Sequence, residues 1–139
     1  MKSYSMKKIY IAFSFVLIAL TGCQMVSPIF VNYNGVRRDV ATWINQQTFL
    51  SMQQKRSLAQ ISKAQQKVYR LDLNNHDAVF SVAKENQIAI HCANINHVSD
   101  KKIKQLQQHI FDESSWAKFQ QFEQSAPQIK LDANTIQCD

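Results

Sequence analysis

A long apolar run near the amino terminus determines how much of this chain is left to fold. The run covers the twelve residues 9–20, is broken only by Ser14, and follows the basic pair Lys7 and Lys8. A membrane-spanning helix needs about 20 apolar residues, so this run is too short to span a bilayer but suits the core of a secretion signal. Removing a signal at residues 1–22 leaves 117 of the 139 residues, enough for one small domain.

The signal ends in a short motif that predicts where the protein resides. Residues 20–23, Leu-Thr-Gly-Cys, resemble the lipobox of bacterial signal peptidase II, with Cys23 as the lipidated residue. A cysteine of this kind carries a diacylglyceryl group and an amide-linked acyl chain. These three acyl chains exceed the two lipid signals that stable membrane anchoring requires. The alternative to a lipobox is an ordinary cleavable signal that contains a cysteine. The residue after Cys23 is Gln24 rather than aspartate, which, by resemblance to the sorting rule of enteric bacteria, favours the periplasmic face of the outer membrane. We expect a lipidated tether at 23–32 and a single domain at 33–139.

Two cysteines, Cys92 and Cys138, remain once Cys23 is assigned to the lipid. The periplasm is oxidising, and two thiols have only one possible pairing within the chain. Their disulfide would close a loop of about 45 residues and contribute roughly 4 kcal/mol in the chain-entropy treatment. The alternative is a reactive Cys92 beside His91, but side chains adjacent in sequence point in different directions. We therefore predict a structural disulfide between Cys92 and Cys138.

The first two segments of the domain have the apolar spacing of amphipathic helices. Residues 36–47 are apolar at intervals of about 3.6, and Ser51 is suited to cap a second helix. The apolar stripe of that second helix consists of Leu58, Ile61, Val68 and Leu71. Its opposite face is basic and consists of Lys55, Arg56, Lys63, Lys67 and Arg70. We predict that this face is a solvated surface; the alternative is contact with anionic lipid headgroups or an acidic partner.

Residues 78–95 fit two different structures. As a helix, the segment would be apolar on two faces and buried on both, at the centre of the domain. As strands, 78–83 and 87–93 would flank a turn at 84–86, with apolar residues alternating in the second strand. Propensity does not decide, because Val, Ile and Phe favour strand whereas Ala, Lys, Glu and Gln favour helix.

The carboxyl-terminal part predicts two more helices. Ser99 is suited to be an N-cap, and Asp100 after it is favourably placed at the positive end of the helix dipole. Ser114 or Ser115 is expected to begin the following helix, which Pro127 ends. The aromatic residues at 116, 119 and 122 are expected to lie in the core rather than in a ligand site.

No motif for catalysis, cofactor binding or metal binding occurs in the sequence. Two glycines are too few for a P-loop or a Rossmann fingerprint. The four histidines lack metalloprotease spacing, no CxxC occurs, and no serine has a GxSxG context. The mature part has 13 Lys and Arg against 10 Asp and Glu, and this net charge of +3 gives no argument for nucleic acid. We predict a non-enzymatic protein with no catalytic, cofactor-binding or metal-ligating residues.

The first third of the mature chain carries a family resemblance. Tyr33-Asn34, Trp43-Ile44-Asn45 and the helix start at 49–55 resemble the amino-terminal part of the uncharacterised bacterial lipoprotein family numbered 6279 among the domains of unknown function. The resemblance implies an all-α domain of about four to five helices and favours helix for 78–95. The alternative is an α+β domain with a β-hairpin at 78–93. The helix start is also similar to the Leu-Thr-x-x-Gln box of the periplasmic Spy/CpxP chaperones, which lack a lipobox.

These features together predict an outer-membrane lipoprotein with a non-enzymatic role, either binding an envelope protein partner or supporting the envelope structurally. The membrane is its first partner, through the lipid on Cys23, and no nucleic-acid partner or cofactor is expected. The alternatives are a pilotin-like protein that escorts secretin subunits, a periplasmic holdase chaperone, or an enzyme of unknown type.

Overall fold

The computed structural model describes residues 35–138, and this part of the chain is all-α, as predicted. Its five α-helices are α1 (Arg38–Asn45), α2 (Met52–Gln66), α3 (His76–Ile95), α4 (Asp100–Ile110) and α5 (Glu113–Ser125). A 3-10 turn, Lys67–Arg70, follows α2, and another, Ala133–Thr135, lies in the tail. The predicted signal peptide, Cys23 and the tether lie outside the described residues. None of the helices between 35 and 138 is both long and apolar enough to cross a membrane.

Helices α2 and α3 form an antiparallel pair, which makes the largest helix–helix contact in the described part. Side-chain hydrogen bonds join the pair at both ends. At one end, Gln65 donates to Asn86 at 3.0 Å, and at the other, Asn96 donates to Ser57 at 2.8 Å. The buried face of α3 includes the small residues Ala83, Ala89 and Ala93. Small side chains leave room for a neighbouring helix, so α3 can pack closely in the domain.

The ambiguous segment 78–95 lies within the single helix α3, so the hairpin alternative is wrong. The side chain of Asn75 caps this helix by accepting a hydrogen bond from the backbone N–H of Ala78 at 3.1 Å. Residues 84–86, expected as a turn in the hairpin, are mid-helix, where the helix pairs with α2. The expectation that α3 is buried on two faces is wrong, because Phe80 and Ile95 are about half exposed.

Local capping chemistry sets the start of α2, α4 and α5. Ser51 forms a capping box with Gln54 at the start of α2, and Ser99 accepts a bond from the third residue of α4, both as predicted. The start of α5 differs from the prediction, because Asp112 rather than either serine is the N-cap. Its carboxylate accepts from the backbone N–H of Ser115 at 2.8 Å, and the Ser115 hydroxyl accepts from the Asp112 N–H at 3.0 Å. The aspartate, two residues before the first serine, takes the cap because its charge also favours the helix dipole.

The core contains the aromatic residues that follow α4 as well as the aliphatic stripes of the helices. Phe119 and Phe122 are fully buried, which confirms their predicted core position, while Trp116 is half-buried. Phe111 stacks on Phe119 with 4.3 Å between ring centres. Four polar residues are also buried within the described part: Lys55, Ser57, Ser62 and Gln65.

The predicted disulfide joins Cys92 on α3 to Cys138 in the tail, with their α-carbons 5.5 Å apart. Gln87 holds the same tail one and a half turns earlier on α3. Its side-chain amide donates to the carbonyl oxygen of Pro127 at 2.9 Å and accepts from the N–H of Ile129 at 3.1 Å. The tail is therefore attached to α3 at two points, and Cys92 has no free thiol in this state.

Candidate functional site

An open groove of about 960 Å³ runs along the outward face of α2. Its walls are the chain segment 35–37, the 3-10 turn after α2 and the middle of α3. The charged residues that line it are Arg37, Lys63, Lys67, Arg70 and Glu85. Four cations and one carboxylate give this surface a net positive charge, and we call it the basic groove.

The described part of the chain begins at the basic groove. Gly35 has a φ of +86°, a left-handed conformation that only glycine adopts without cost. A β-carbon at Gly35 would lie 3.4 Å from Cγ of Lys63, so the backbone passes directly beside the lysine stem. Whatever precedes Gly35 in the chain therefore joins the domain at the edge of the groove.

Arg37 is used to hold the fold together rather than left open for a ligand. Its guanidinium donates to both carboxylate oxygens of Asp39 at 2.7 Å, and to the carbonyl oxygens of His109 at 2.8 Å and Ile110 at 3.1 Å. The hydrogen bond from Arg37 is the main cause that holds the pKa of Asp39 below its usual range. Because the two carbonyls end α4, Arg37 fastens the start of α1 to the negative end of that helix dipole.

The remaining cations of the basic groove differ in whether they are paired. Lys67, in the 3-10 turn after α2, forms an ion pair with Glu85 of α3, whereas Lys63 and Arg70 have no acidic partner among residues 35–138. Arg56, also without one, is exposed and lies seven residues before Lys63, so both point to the same side of α2. The groove thus presents uncompensated positive charge along α2.

The prediction that the basic face of α2 is solvated is correct for its exposed members but wrong for Lys55. That side chain is only 1% exposed, and its ammonium donates to the carbonyl oxygen of Asn45, the last residue of α1, at 3.0 Å. Burial lowers the pKa of Lys55. Spacing within α2 could not reveal this position, because the acceptor is on another helix.

A second surface lies at the other end of the α2–α3 pair. Gln54, near the start of α2, donates to the carbonyl oxygen of His97 just after α3 at 3.1 Å, so the two segments are neighbours. This end carries Phe49, which is fully exposed, together with Met52 and Ile95, which are 42% and 56% exposed. We call these three side chains the apolar end. The length of α2, roughly 20 Å at 1.5 Å per residue, separates it from the Lys67 turn.

A hollow of about 680 Å³ between α4 and α5 is a weaker candidate. It is lined by Lys104, Trp116 and three carboxylates, those of Asp112, Glu113 and Glu123. The capping bonds from Ser115 are the main cause that lowers the pKa of Asp112 to about 2, which makes this carboxylate a poor proton donor near neutral pH. Partial burial raises the pKa of Glu123. Its lining contains no serine, cysteine or histidine side chain.

No protein-family model, curated protein or solved structure matches this chain. The family resemblance of its first third stays a prediction, and the Tyr33-Asn34 pair that belongs to it lies outside the described residues. Between residues 35 and 138, no group of three or more His, Cys, Asp or Glu side chains is placed to hold a metal ion. The function is therefore inferred from the basic groove and the apolar end.

Two residues of these surfaces were not singled out from the sequence. A phenylalanine between two amphipathic helices, belonging to neither apolar stripe, is the signal that could have identified Phe49. For Arg37, the nearby Asp39 is visible in sequence, but the carbonyl groups at 109 and 110 come close only in the folded domain.

Proposed function

We propose that this chain is an outer-membrane lipoprotein, lipidated at Cys23, that binds another envelope protein through its apolar end and catalyses no reaction. The observation that carries the proposal is the full exposure of Phe49. Removing a phenylalanine side chain from water contributes about 1.5–3 kcal/mol of free energy. Within the described domain Phe49 stays in water, so this free energy is available for binding a partner. Exposed aromatic side chains of this kind often become the anchors of protein interfaces.

The position of the apolar end relative to the predicted anchor supports this proposal. The backbone N–H of Arg37 donates to Gln66, the last residue of α2, at 3.0 Å, whereas Phe49 precedes the first residue of the same helix. A tether of the twelve residues 23–34 reaches at most about 40 Å. The anchor thus joins the domain at one end, and the apolar end lies at the other, directed away from that attachment.

A photo-crosslinking residue placed at position 49 in intact cells tests the proposal. We expect one discrete adduct between this protein and a second envelope protein. The matched control carries the same photo-crosslinker at Gln121, which is exposed on α5 and distant in sequence from the apolar end. The adduct should disappear in the Met52→Gln/Ile95→Gln variant.

Other outcomes of this experiment separate the alternatives. Adducts of many sizes from position 49 would favour a holdase chaperone, and an adduct of twice the protein's own mass would favour self-association. Equal adducts from positions 49 and 121, or none from position 49, would contradict a partner site at the apolar end.

A further inference from the structure

We propose that the basic groove binds the anionic phospholipid headgroups of the membrane leaflet that carries the anchor, so that the domain lies against the bilayer along α2. This inference rests on the proposed function, because it takes the lipid on Cys23 as the attachment. It adds a second, electrostatic contact to that covalent one. The two contacts would fix the orientation of the domain and leave the apolar end accessible from the periplasm.

The path of the chain brings the groove to the membrane. Gly35 lies beside Lys63 at the edge of the groove, and the predicted lipid site is only twelve residues earlier. A chain of twelve residues reaches at most about 40 Å, so the groove stays within that distance of the predicted lipid site. A weak headgroup contact then becomes effective, because the anchor holds the groove at a high local concentration beside the bilayer.

The charges of the groove match an anionic surface. Lys63 and Arg70 line it without an acidic partner among the described residues, and Arg56 extends the same side of α2. Glu85, the one carboxylate in the lining, is already paired with Lys67. Each lysine or arginine close to an anionic membrane strengthens binding by roughly fivefold.

The lining also contains an apolar side chain beside these cations, that of the half-buried Ile88. A phospholipid surface supplies both matching components, a phosphate and the adjoining apolar layer. The tether itself is a poorer match, because residues 24–34 carry no charged side chain to pair with Lys63 or Arg70. Of the surfaces that can reach the groove, the bilayer is the one to which the predicted anchor keeps it permanently close.

Flotation with lipid vesicles tests this inference without the anchor. The protein would be the mature chain from residue 23, carrying Cys23→Ser and made without the signal peptide, so that only the groove can hold it. We expect binding to vesicles that contain phosphatidylglycerol and little binding to pure phosphatidylcholine. Added salt should release the protein, because surface charges are screened.

Charge variants locate the contact. Lys63→Gln/Arg70→Gln should weaken binding to phosphatidylglycerol vesicles by about 25-fold, two steps of roughly fivefold. The control Lys101→Gln/Lys104→Gln removes the same charge from exposed lysines on α4, outside the groove, and should weaken binding by less than about fivefold. Circular dichroism should show the wild-type helical content in every variant.

Three results would overturn the inference: equal losses in the two double variants, equal binding to both kinds of vesicle, or no vesicle binding at all. None of them depends on the crosslink from position 49. A failure of the headgroup contact is therefore distinguishable from a failure of the proposed partner site.

Discussion

The ammonium group of Lys55 lies 3.0 Å from the carbonyl oxygen of Asn45, in a side chain that is 1% exposed. No carboxylate pairs with it among the described residues. The last carbonyl groups of a helix have no partner within the helix, and a positive charge there also faces the negative end of the dipole. Lys55 of α2 therefore completes the end of α1 and fixes the angle between the two helices.

Replacing Lys55 by methionine removes the charge and keeps most of the stem. Burial lowers the pKa of Lys55, so the folded state disfavours the charged form, and this penalty disappears as pH rises towards 10.5. We expect the wild type to gain stability relative to Lys55→Met as pH rises towards 10.5, measured by urea unfolding. Lys55→Ala should cost about 2–5 kcal/mol at neutral pH, because the stem is buried. A pH-independent difference between wild type and Lys55→Met would contradict the account.

The turn after α3 offers a stabilising substitution. His97 has a φ of +57° at the C′ position, where the bonds from His97 N–H to Asn94 and from Val98 N–H to Ala93 form a Schellman motif. Because a side chain is strained in this conformation, His97→Gly should raise the free energy of unfolding by roughly 0.5–1 kcal/mol. Ser81→Gly, an exposed position in the middle of α3, is the control and should lower it by a similar amount. The measurement is chemical denaturation, and a destabilised His97→Gly would refute the strain argument.

The carboxylate of Asp112 at the start of α5 should make the free energy of unfolding depend on pH. The pKa of Asp112 is about 2 in the folded state, below its ordinary 3.8, because it accepts hydrogen bonds from Ser115 and Ser114. A lowered folded pKa gives stability that is complete above the unfolded value and is lost as pH falls through the folded one. We expect the wild type to lose stability between about pH 4 and about pH 2. Asn can also cap a helix but carries no charge, so Asp112→Asn should lose less stability than the wild type over the same pH range. Thermal unfolding measured at each pH would test this.

The disulfide is expected to contribute measurably to stability. Cys138→Ser should lower the free energy of unfolding by about 2–4 kcal/mol, because the unfolded chain is no longer closed into a loop. Reduction should lower the melting temperature of the wild type and leave that of Cys138→Ser unchanged. A wild type insensitive to reduction would show that the tail is held by its contacts with Gln87 alone.

The anchor is tested in cells rather than in vitro. Since signal peptidase II acts after lipid transfer to the cysteine, Cys23→Ser in the full chain should leave unprocessed precursor and abolish incorporation of labelled palmitate. Cys138→Ser is the matched control, because it also removes one thiol and should leave processing unchanged. Mature-size protein accumulating in the membrane fraction of Cys23→Ser would refute the lipobox prediction.

Features that depend on neighbouring residues were predictable from the sequence. Ser51 and Ser99 cap their helices because a hydroxyl and the backbone groups two or three residues later meet in any helix start. The Cys92–Cys138 pairing followed by elimination. The sequence of 78–95 alone did not distinguish helix from strand, because its composition suits both. In the folded domain this segment packs on α2 as a helix.

Apart from the disulfide, features that depend on contacts between distant segments were not predictable. The basic side of α2 could be seen from its spacing, but the burial of Lys55 requires the end of α1 to lie beside it. The bonds of Arg37 require the last turn of α4, more than 70 residues away in the chain. In both cases the partner is a backbone carbonyl group, which has no signature in the side-chain sequence.

The bonds of Arg37 have a mechanical consequence. Tension along a tether that precedes Gly35 meets Arg37 before it reaches any turn of α1. There Arg37 donates from its guanidinium to the carbonyl groups of His109 and Ile110 and from its backbone N–H to the side-chain oxygen of Gln66. Because these bonds attach the residue before α1 directly to α2 and α4, we expect part of the load to pass into those two helices. We therefore expect α1 to stay folded when the domain is pulled by its amino-terminal end.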